Sequence, residues 1–529
     1  MFSNRIPTMA DIIFISPRFK DCFWGLDLAM PLVAKRASLP QACLPLLAAL
    51  TPAEHRVTLI DENIEEIDYE RCARADIGGV TGMNVQRFQM TRILGELKKR
   101  GCFTAVGGGW ITVEEDYFGP LADVIFIGEA DDSWPRFLQE WKEGRASARY
   151  EQSAKTDLTK APVPRFDLLK TRQYFVGTLQ FSRGCPHRCE FCDIVVVFGR
   201  RPRFKTPAQV IAEMEAVFRS GQRLIFVVDD NLICDKAALK AILREMIAWQ
   251  QKNGYPLGMI TQVTLDLSDD PELMGMMVEA NFVGLFIGVE SPSVESLQET
   301  GKWHNLRNDE PLVAKLHRIQ RAGFVVWCGM IQGFDHDDPS IFRRQLEFLT
   351  DGRIPIVMSG MLAAIPNTPL FDRVAREGRL DRADTPHFGT NIVPAGMTSK
   401  DLRDGYIGLQ YALYDPPSYF KRLEALFLDP EFEVGFARQT DYWRRHRWLR
   451  LRRETGYALK AAGLFLGLTF RVPEASLRRE YRRRIRRLLK VHRRPGLVLN
   501  YLIHIDMQYH AWALARKMAE GRMPVVNTY

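Results

Sequence analysis

Short β-branched runs at 12–16, 57–61, 77–81, 104–107 and 124–128 alternate with stretches of helical apolar spacing through the first 150 residues. Such alternation predicts an α/β domain over 1–150, a doubly wound (Rossmann-like) parallel sheet with helices on both faces. Ligands of these sheets lie beyond the carboxyl ends of the strands. Those ends read Ser16-Pro17, Thr81-Gly82-Met83, Gly107-Gly108-Gly109 and Gly128-Glu129. The glycine triplet lets a large flat ligand approach the backbone, although a tight turn explains it equally well. Residues 151–175 are polar, carry Pro162 and Pro164, and read as a linker. A second βα series follows. Its strands lie near 178–183, 224–229, 259–264, 283–290, 325–333 and 355–365, with helices near 207–220, 236–252, 270–280, 309–322 and 338–350 between them. This predicts a partial (β/α)6 TIM-like barrel over 176–390, with its chemistry at the carboxyl ends of the strands. Beyond 390 the strand signal fades into a basic helical region over 391–529.

A chain of 529 residues exceeds what one core organises, in keeping with several domains. Apolar and charged fractions of 46% and 26% are those of a soluble globular protein. No secretory pattern precedes the first strand, and Met9 is a candidate alternative start. The nine cysteines are odd in number, which argues against a disulfide framework and for a reducing cytoplasm. Net charge is +8, yet residues 443–494 hold 18 Lys/Arg against three acids, +15, so the remainder sums to −7. The basic character therefore belongs to one segment.

Three cysteines cluster in Ser182-Arg183-Gly184-Cys185-Pro186-His187-Arg188-Cys189-Glu190-Phe191-Cys192, just after the first barrel strand. Thiolates suit iron–sulfur clusters and zinc. Structural zinc needs four ligands, commonly two C-x₂-C pairs. There is no second pair, and His187 lies between two cysteines, where the loop has little freedom to close a tetrahedron. Three thiolates on a four-iron cluster leave one iron free to bind and reduce a ligand, and Phe191 offers an apolar face beside it.

The segment resembles the radical S-adenosylmethionine signature C-x₃-C-x-(aromatic)-C, and other strand ends resemble that family in order. Asp229-Asp230-Asn231 matches the place where the family binds the methionine amino group. Gly288-Val289-Glu290-Ser291 matches the acidic residue that holds the ribose hydroxyls. Gly329–Gly333 resembles the adenine-flanking strand, and Ile365–Leu370 a recurrent Pro-x-Thr-Pro-Leu loop. The resemblance spans about 170–380. It implies a 4Fe–4S cluster on Cys185, Cys189 and Cys192, with S-adenosylmethionine contacts from Phe191, Asp229, Asp230, Asn231, Glu290, Ser291 and Gly333. It also implies a 5′-deoxyadenosyl radical that abstracts hydrogen from an unreactive carbon, and an external flavodoxin- or ferredoxin-like electron donor.

A doubly wound domain ahead of such a barrel resembles the cobalamin-binding class of these enzymes. That resemblance implies cobalamin contacts from Ser16, Thr81, Gly82, Met83, Gly107, Gly108, Gly109, Gly128 and Glu129. The Asp-x-His-x-x-Gly motif of other cobalamin proteins is absent, so the cofactor is expected without a histidine lower ligand, with Met83, Asn84 or Gln86 nearest its lower face. Methylthiotransferases also carry an N-terminal α/β domain, but Cys22, Cys43, Cys72 and Cys102 are spread over opposite sheet edges and are not expected to converge. Gly82–Arg87, Phe181–Pro186, Cys189–Ile194 and Val228–Asn231 together resemble the hopanoid C-2 methylases, which act on a membrane lipid. Gln262-Val263-Thr264 and Leu232–Asp235 depart from them. The expected reaction is C-methylation of a hydrophobic small-molecule or lipid substrate, with radical cyclisation or RNA modification as alternatives.

The C-terminal segment interleaves aromatics and arginines over 443–453. It then carries a ten-residue apolar run over 461–470, too short for the roughly 20 residues that span a bilayer. The stripe Leu477, Tyr481, Ile485, Leu488 and Leu489 marks a second basic amphipathic helix. Such helices lie on an anionic membrane surface, cap a domain, or bind nucleic acid, the least favoured here.

Overall fold

The computed structural model describes residues 9–19, 22, 25–432 and 439–527; the segment 1–8 lies outside them. Five strands form where the apolar runs stand: β1 (Asp11–Ser16), β2 (Arg56–Asp61), β3 (Ile77–Thr81), β4 (Thr104–Gly107) and β5 (Val124–Gly128). A sixth, β6 (Arg149–Gln152), completes a parallel sheet of order β2-β1-β3-β4-β5-β6. The chain leaves β1 for β2 on one side and returns to β3 on the other. The crevice at the carboxyl ends of β1 and β3 is thus a topological switch point.

The strand β6 reads Arg-Tyr-Glu-Gln and lacks an apolar run, which is why its sequence does not announce it; only Tyr150 and Gln152 turn inward. It straddles the expected boundary at 150, and the expected linker is packed down. Leu158, Phe166 and Tyr174 are buried, and the Tyr174 hydroxyl donates to Asp61 at 2.9 Å.

The second sheet has order β14-β13-β12-β11-β10-β7, all parallel and open between its two edges. Its strands are β7 (Gly177–Leu179), β10 (Leu224–Val227), β11 (Gly258–Val263), β12 (Phe282–Glu290), β13 (Val325–Gln332) and β14 (Val357–Met361). The intervening β8 (Ser182–Arg183) and β9 (Arg203–Phe204) pair antiparallel beside it. The long strands are apolar on both faces because helices cover one face and the barrel lumen lies on the other.

Long helices follow, among them Arg447–Phe470, Ala475–Val491 and Pro495–Ala519. The amphipathic stripe, for which the sequence left a membrane surface, a domain cap and nucleic acid open, is covered by the protein itself. Leu477, Tyr481, Ile485 and Leu488 enter the main core, and only Leu489 stays exposed. Burying each large apolar side chain contributes about 1.5–3 kcal/mol, which the chain's own core supplies here. Glu424 anchors the polar face, accepting from Arg484 and Arg487 at 2.8 Å each. Exposed apolar side chains lie instead on Arg447–Phe470, at Trp448, Leu451, Leu459, Leu466 and Phe470. Among the described residues, no helix is long and apolar enough to cross a membrane.

Candidate active site

The cysteine loop is closed at its base by the β8–β9 pair. Gly184 has φ +93°, and a Cβ there would stand 2.9 Å from the Arg201 carbonyl oxygen and 3.0 Å from that of Gly199. The loop can fold back this tightly only with glycine at that position. The Cys185 amide donates to Gly199 O at 3.2 Å, and the Cys192 amide to Cys189 O at 3.2 Å. All three cysteines are half-buried. Burial pushes Cys185 up to about 11 and raises Cys189 and Cys192 as well; neighbouring thiols add to this at Cys185 and Cys192, whereas the Lys302 cation opposes it at Cys189. Among the described residues, no three Cys, His, Asp or Glu converge on a single ion. A four-iron cube would take each thiolate on a different iron.

A buried ion network fixes this loop to the first sheet. Glu129, expected to touch cofactor, is consumed by the protein. It receives Arg183 Nη1 at 2.8 Å, Arg203 Nη1 at 2.9 Å and the Thr156 amide at 2.9 Å. Asp131 also accepts from Arg183 at 2.7 Å. The carboxyl end of β5 is thereby held against the first residues of the cysteine loop. Asn367 Nδ2 donates to Val113 O at 2.9 Å, and Arg87 pairs with Asp384 at 3.0 Å, adding further ties between the two units.

The acidic pair divides its labour. Asp229 accepts from the Phe181 amide at 2.7 Å and the Ser182 hydroxyl at 2.5 Å, so both oxygens are committed to the chain. Asp230 accepts from the Gly184 amide at 2.8 Å through one oxygen. Its other oxygen is the one that fits an amino group. Burial pushes Asp229 up to about 7 and Asp230 to about 6, against the hydrogen bonds each receives. Asn231 donates to Thr264 Oγ1 at 3.2 Å, the Ser291 hydroxyl accepts the Ser293 amide at 3.2 Å, and the Gly333 amide donates to Asp337 at 3.0 Å. These three shape strand-end turns. Glu290 behaves differently: at φ +68°, it pairs through one oxygen with Lys302, while Oε2 is buried with no partner. An orphaned carboxylate oxygen at that strand end fits a ligand with two hydroxyls.

Lys302 is a functional candidate that the sequence does not mark. Burial disfavours its charge, but the paired Glu290 carboxylate, with Cys189 and Cys192 nearby, outweighs this and raises its pKa, and its ammonium lies 5.9 Å from the Phe191 ring centre. A lone Thr-Gly-Lys turn carries no signal of its own. His187 stacks on His304 with centroids 3.9 Å apart, and burial with nearby Lys302 holds His304 down to about 2. His187, within the loop, is therefore one half of a stacked pair.

At the switch point of the first sheet, Ser16 Oγ is buried without a partner, as is Trp110 Nε1. Gly108 has φ +110°, and a Cβ there would meet Thr81 Oγ1 at 2.8 Å and Gly82 O at 3.0 Å, whereas one on Gly109 would meet nothing within 4 Å. The triplet therefore folds tightly against β3 and leaves open space in front, which fits a bulky planar group. Gly107 and Gly128 bracket the neighbouring strand ends. Beneath them, Gln86 donates to Pro17 O at 2.5 Å and accepts from the Met83 amide, and Asn84 Oδ1 accepts from Arg87. Only Met83 of the three presents its side chain outward. His55, which accepts from the Ala10 amide at 3.1 Å, lies at the opposite, amino edge. Cys43 stands near Thr81, whereas Cys102 Sγ lies 3.5 Å from Cys72 O at the other edge.

Comparison with known proteins agrees with this arrangement. Residues 179–349 match the Radical SAM superfamily, and 368–523 match a domain of unknown function, DUF4070. An uncharacterized methyltransferase of Synechocystis is 35% identical over 79% of this chain and 78% of its own length. The hopanoid C-2 methylase of Rhodopseudomonas palustris is 32% identical over 71% of this chain and 72% of its own. Among solved structures, the radical S-adenosylmethionine methyltransferase TsrM from Kitasatospora setae superimposes with TM-score 0.62 at 15% identity, over 78% of this chain and 90% of that one. The cobalamin-dependent S-adenosylmethionine radical enzyme OxsB gives TM-score 0.60 at 14% identity, over 98% and 82%. The two likenesses establish a shared fold. With its cysteine loop at the mouth of an open parallel barrel and two relatives above 30% identity, this chain belongs to the radical S-adenosylmethionine methyltransferase family that includes hopanoid C-2 methylase.

Proposed function

We propose that the protein methylates an unactivated carbon of a hydrophobic, lipid-class small molecule, using a 4Fe–4S cluster, S-adenosylmethionine and cobalamin. The observation that carries this reading is the opposition of two ligand-ready strand ends. The switch-point crevice with orphaned Ser16 Oγ and the cysteine loop with orphaned Glu290 Oε2 belong to sheets clamped together through Glu129, Arg183 and Arg203. The relatives named as methylases, and the two structural neighbours, which are cobalamin-bound enzymes, support it.

Cys185, Cys189 and Cys192 would hold the cluster. Asp230 and Glu290 would receive the amino group and ribose of S-adenosylmethionine, and the Gly107–Gly109 turn with Ser16 and Thr81 would cradle cobalamin. When bound, these groups supply the methyl group, its carrier and the hydrogen-abstracting radical. The chain's part is to orient and enclose. The buried Lys302 cation offsets negative charge beside Cys189 and Cys192. The Glu129 clamp fixes the separation of the two halves, and the apolar surroundings of Phe191 (Ile331, Phe334, Leu362 and Leu370) exclude water from a radical.

Product analysis tests the proposal. Methyl transfer yields S-adenosylhomocysteine and 5′-deoxyadenosine in about equal amounts, with a 14-dalton gain in the product. Deoxyadenosine alone, with no methylated product, refutes methylation and supports a cyclase.

A further inference from the structure

The barrel lumen contains a cavity of about 1460 Å³, beneath the strand ends just described. Pockets for drug-sized ligands run from about 300 to 1,000 Å³, so this one exceeds that range. Its walls are the inward positions of the amino-terminal halves of the strands, with Phe226, Ile260, Phe286, Trp327 and Met358 among them. Two residues further along β12, β13 and β14, the same face carries Gly288, Gly329 and Gly360, and then the layer of Glu290 and Ile331. The helices Arg447–Phe470 and Pro495–Ala519 close the side. Arg447–Phe470 turns Gly456, Lys460, Gly463 and Gly467 to the cavity at helical spacing.

The cavity is apolar within and cationic at its rim. Lys35, Arg452, Lys460, Arg471 and Arg494 contribute, and across the whole lining seven Lys/Arg face two carboxyls, Glu454 and Asp506. Lys35 lies near enough to Lys460 that repulsion, added to burial, lowers its pKa. Burial pushes Asp506 up to about 8, so it is neutral at pH 7 and does not oppose an anion. Leu466 and Phe470 at the mouth are more than half exposed, a wet apolar threshold.

We infer that this chamber binds an anionic amphiphile, its apolar body inside the barrel lumen and its charged head among the rim cations. The shape, the apolar walls and the charge imbalance each select that class of ligand, a long or polycyclic hydrocarbon ending in a carboxylate or phosphate. Taken with the methyl-transfer reading, on which this one step rests, the orientation points the apolar end toward Glu290 and the cysteine loop. The carbon methylated then lies far from the head.

Binding is read without turnover, so it stands or falls separately from methyl transfer. The probe is a fluorescent fatty acid titrated into the full chain and displaced by oleate or by oleyl alcohol. A Cβ on Gly463 or Gly456 would meet nothing within 4 Å, so G463W and G456W put an indole into the chamber while gaining helix propensity. The control A462W carries the same ring on an exposed residue outside the chamber lining. Expected are at least tenfold weaker probe binding for G463W and G456W, wild-type binding for A462W, weaker binding for K460E, and displacement by oleate at lower concentration than by the alcohol. Wild-type affinity in both tryptophan variants overturns the chamber as the site. Equal displacement by alcohol and acid, with K460E unchanged, overturns the anionic head.

Discussion

Replacing Gly184 by alanine tests whether the cysteine loop depends on its backbone fold. At φ +93° an alanine meets a backbone penalty of about 1–3 kcal/mol. Its Cβ would also press on two carbonyl oxygens, at 2.9 and 3.0 Å. Neither is the end of a flexible side chain, since both belong to the return arm of the loop. Overpacking of this kind costs about 1–3 kcal/mol more. A sum of about 2–6 kcal/mol lowers the equilibrium constant for the folded loop by about 30-fold or more, at about 1.4 kcal/mol per factor of ten. Gly221→Ala is the matched control: its φ is +98°, yet a Cβ there meets nothing within 4 Å, so it carries the backbone penalty alone. The assay is iron and sulfide per chain after anaerobic reconstitution with limiting iron, with thermal melting alongside. Gly184→Ala is expected to lose most of its cluster, whereas Gly221→Ala keeps it at slightly lower stability. Equal iron content in the two variants would refute the argument from carbonyl contact.

Glu129→Gln leaves Arg183 and Arg203 short of a buried counter-charge, which costs about 3–5 kcal/mol; a lower melting temperature and faster proteolysis between the two sheets are expected, and an unchanged melt refutes the clamp. Asp506 releases its proton near pH 3.9 when unfolded but near 8 when folded, so the unfolded state binds fewer protons between these values and wild-type stability falls as pH rises through that window. Asp506→Asn lacks this loss; its melting temperature relative to wild type should climb from pH 4 to 8 and then level, and a pH-independent difference contradicts the assignment. The EPR spectrum of the cobalt(II) holoenzyme should show no nitrogen superhyperfine splitting, because the loop under the switch point offers Met83 and no histidine; splitting refutes this coordination. Trp448→Glu with Leu459→Glu removes two exposed apolar side chains from a basic helix, and flotation with anionic vesicles should weaken several-fold; unchanged flotation argues against this helix as a membrane contact.

Much of the site was legible in the residues because its parts are local. The cysteine spacing, the glycine before it and the acidic pair after β10 are short runs whose backbone demands show in the letters themselves. Strand ends carry chemistry in parallel folds, so naming the strands named most of the candidate residues. The roles of those residues were not local. Asp229, Asn231 and Glu129 look like ligands in sequence but spend their polar atoms on neighbouring chain, because burial makes an unpaired group costly. Lys302 gave no signal, since its importance comes from a fold that brings it beside Cys189 and Cys192. The strand β6 lacked an apolar run because an edge strand with one neighbour needs only two inward side chains.

The sequence by itself determined the order of elements, the two parallel sheets and the chemistry of the cysteine loop, since these depend on periodicity and on residues close in the chain. Only the tertiary structure decided where the basic region turns its apolar stripes. Leu477, Tyr481, Ile485 and Leu488 go into the core, whereas Trp448, Leu459 and Phe470 go to solvent. The Ala475–Val491 helix is amphipathic, whereas Arg447–Phe470 carries apolar side chains on both its covered and its exposed sides, and an apolar position does not state what will cover it. That choice rests on which surface the rest of the chain presents. The lumen cavity has the same origin, since its walls come from strands, helices and the 26–39 segment, which no stretch of sequence brings together.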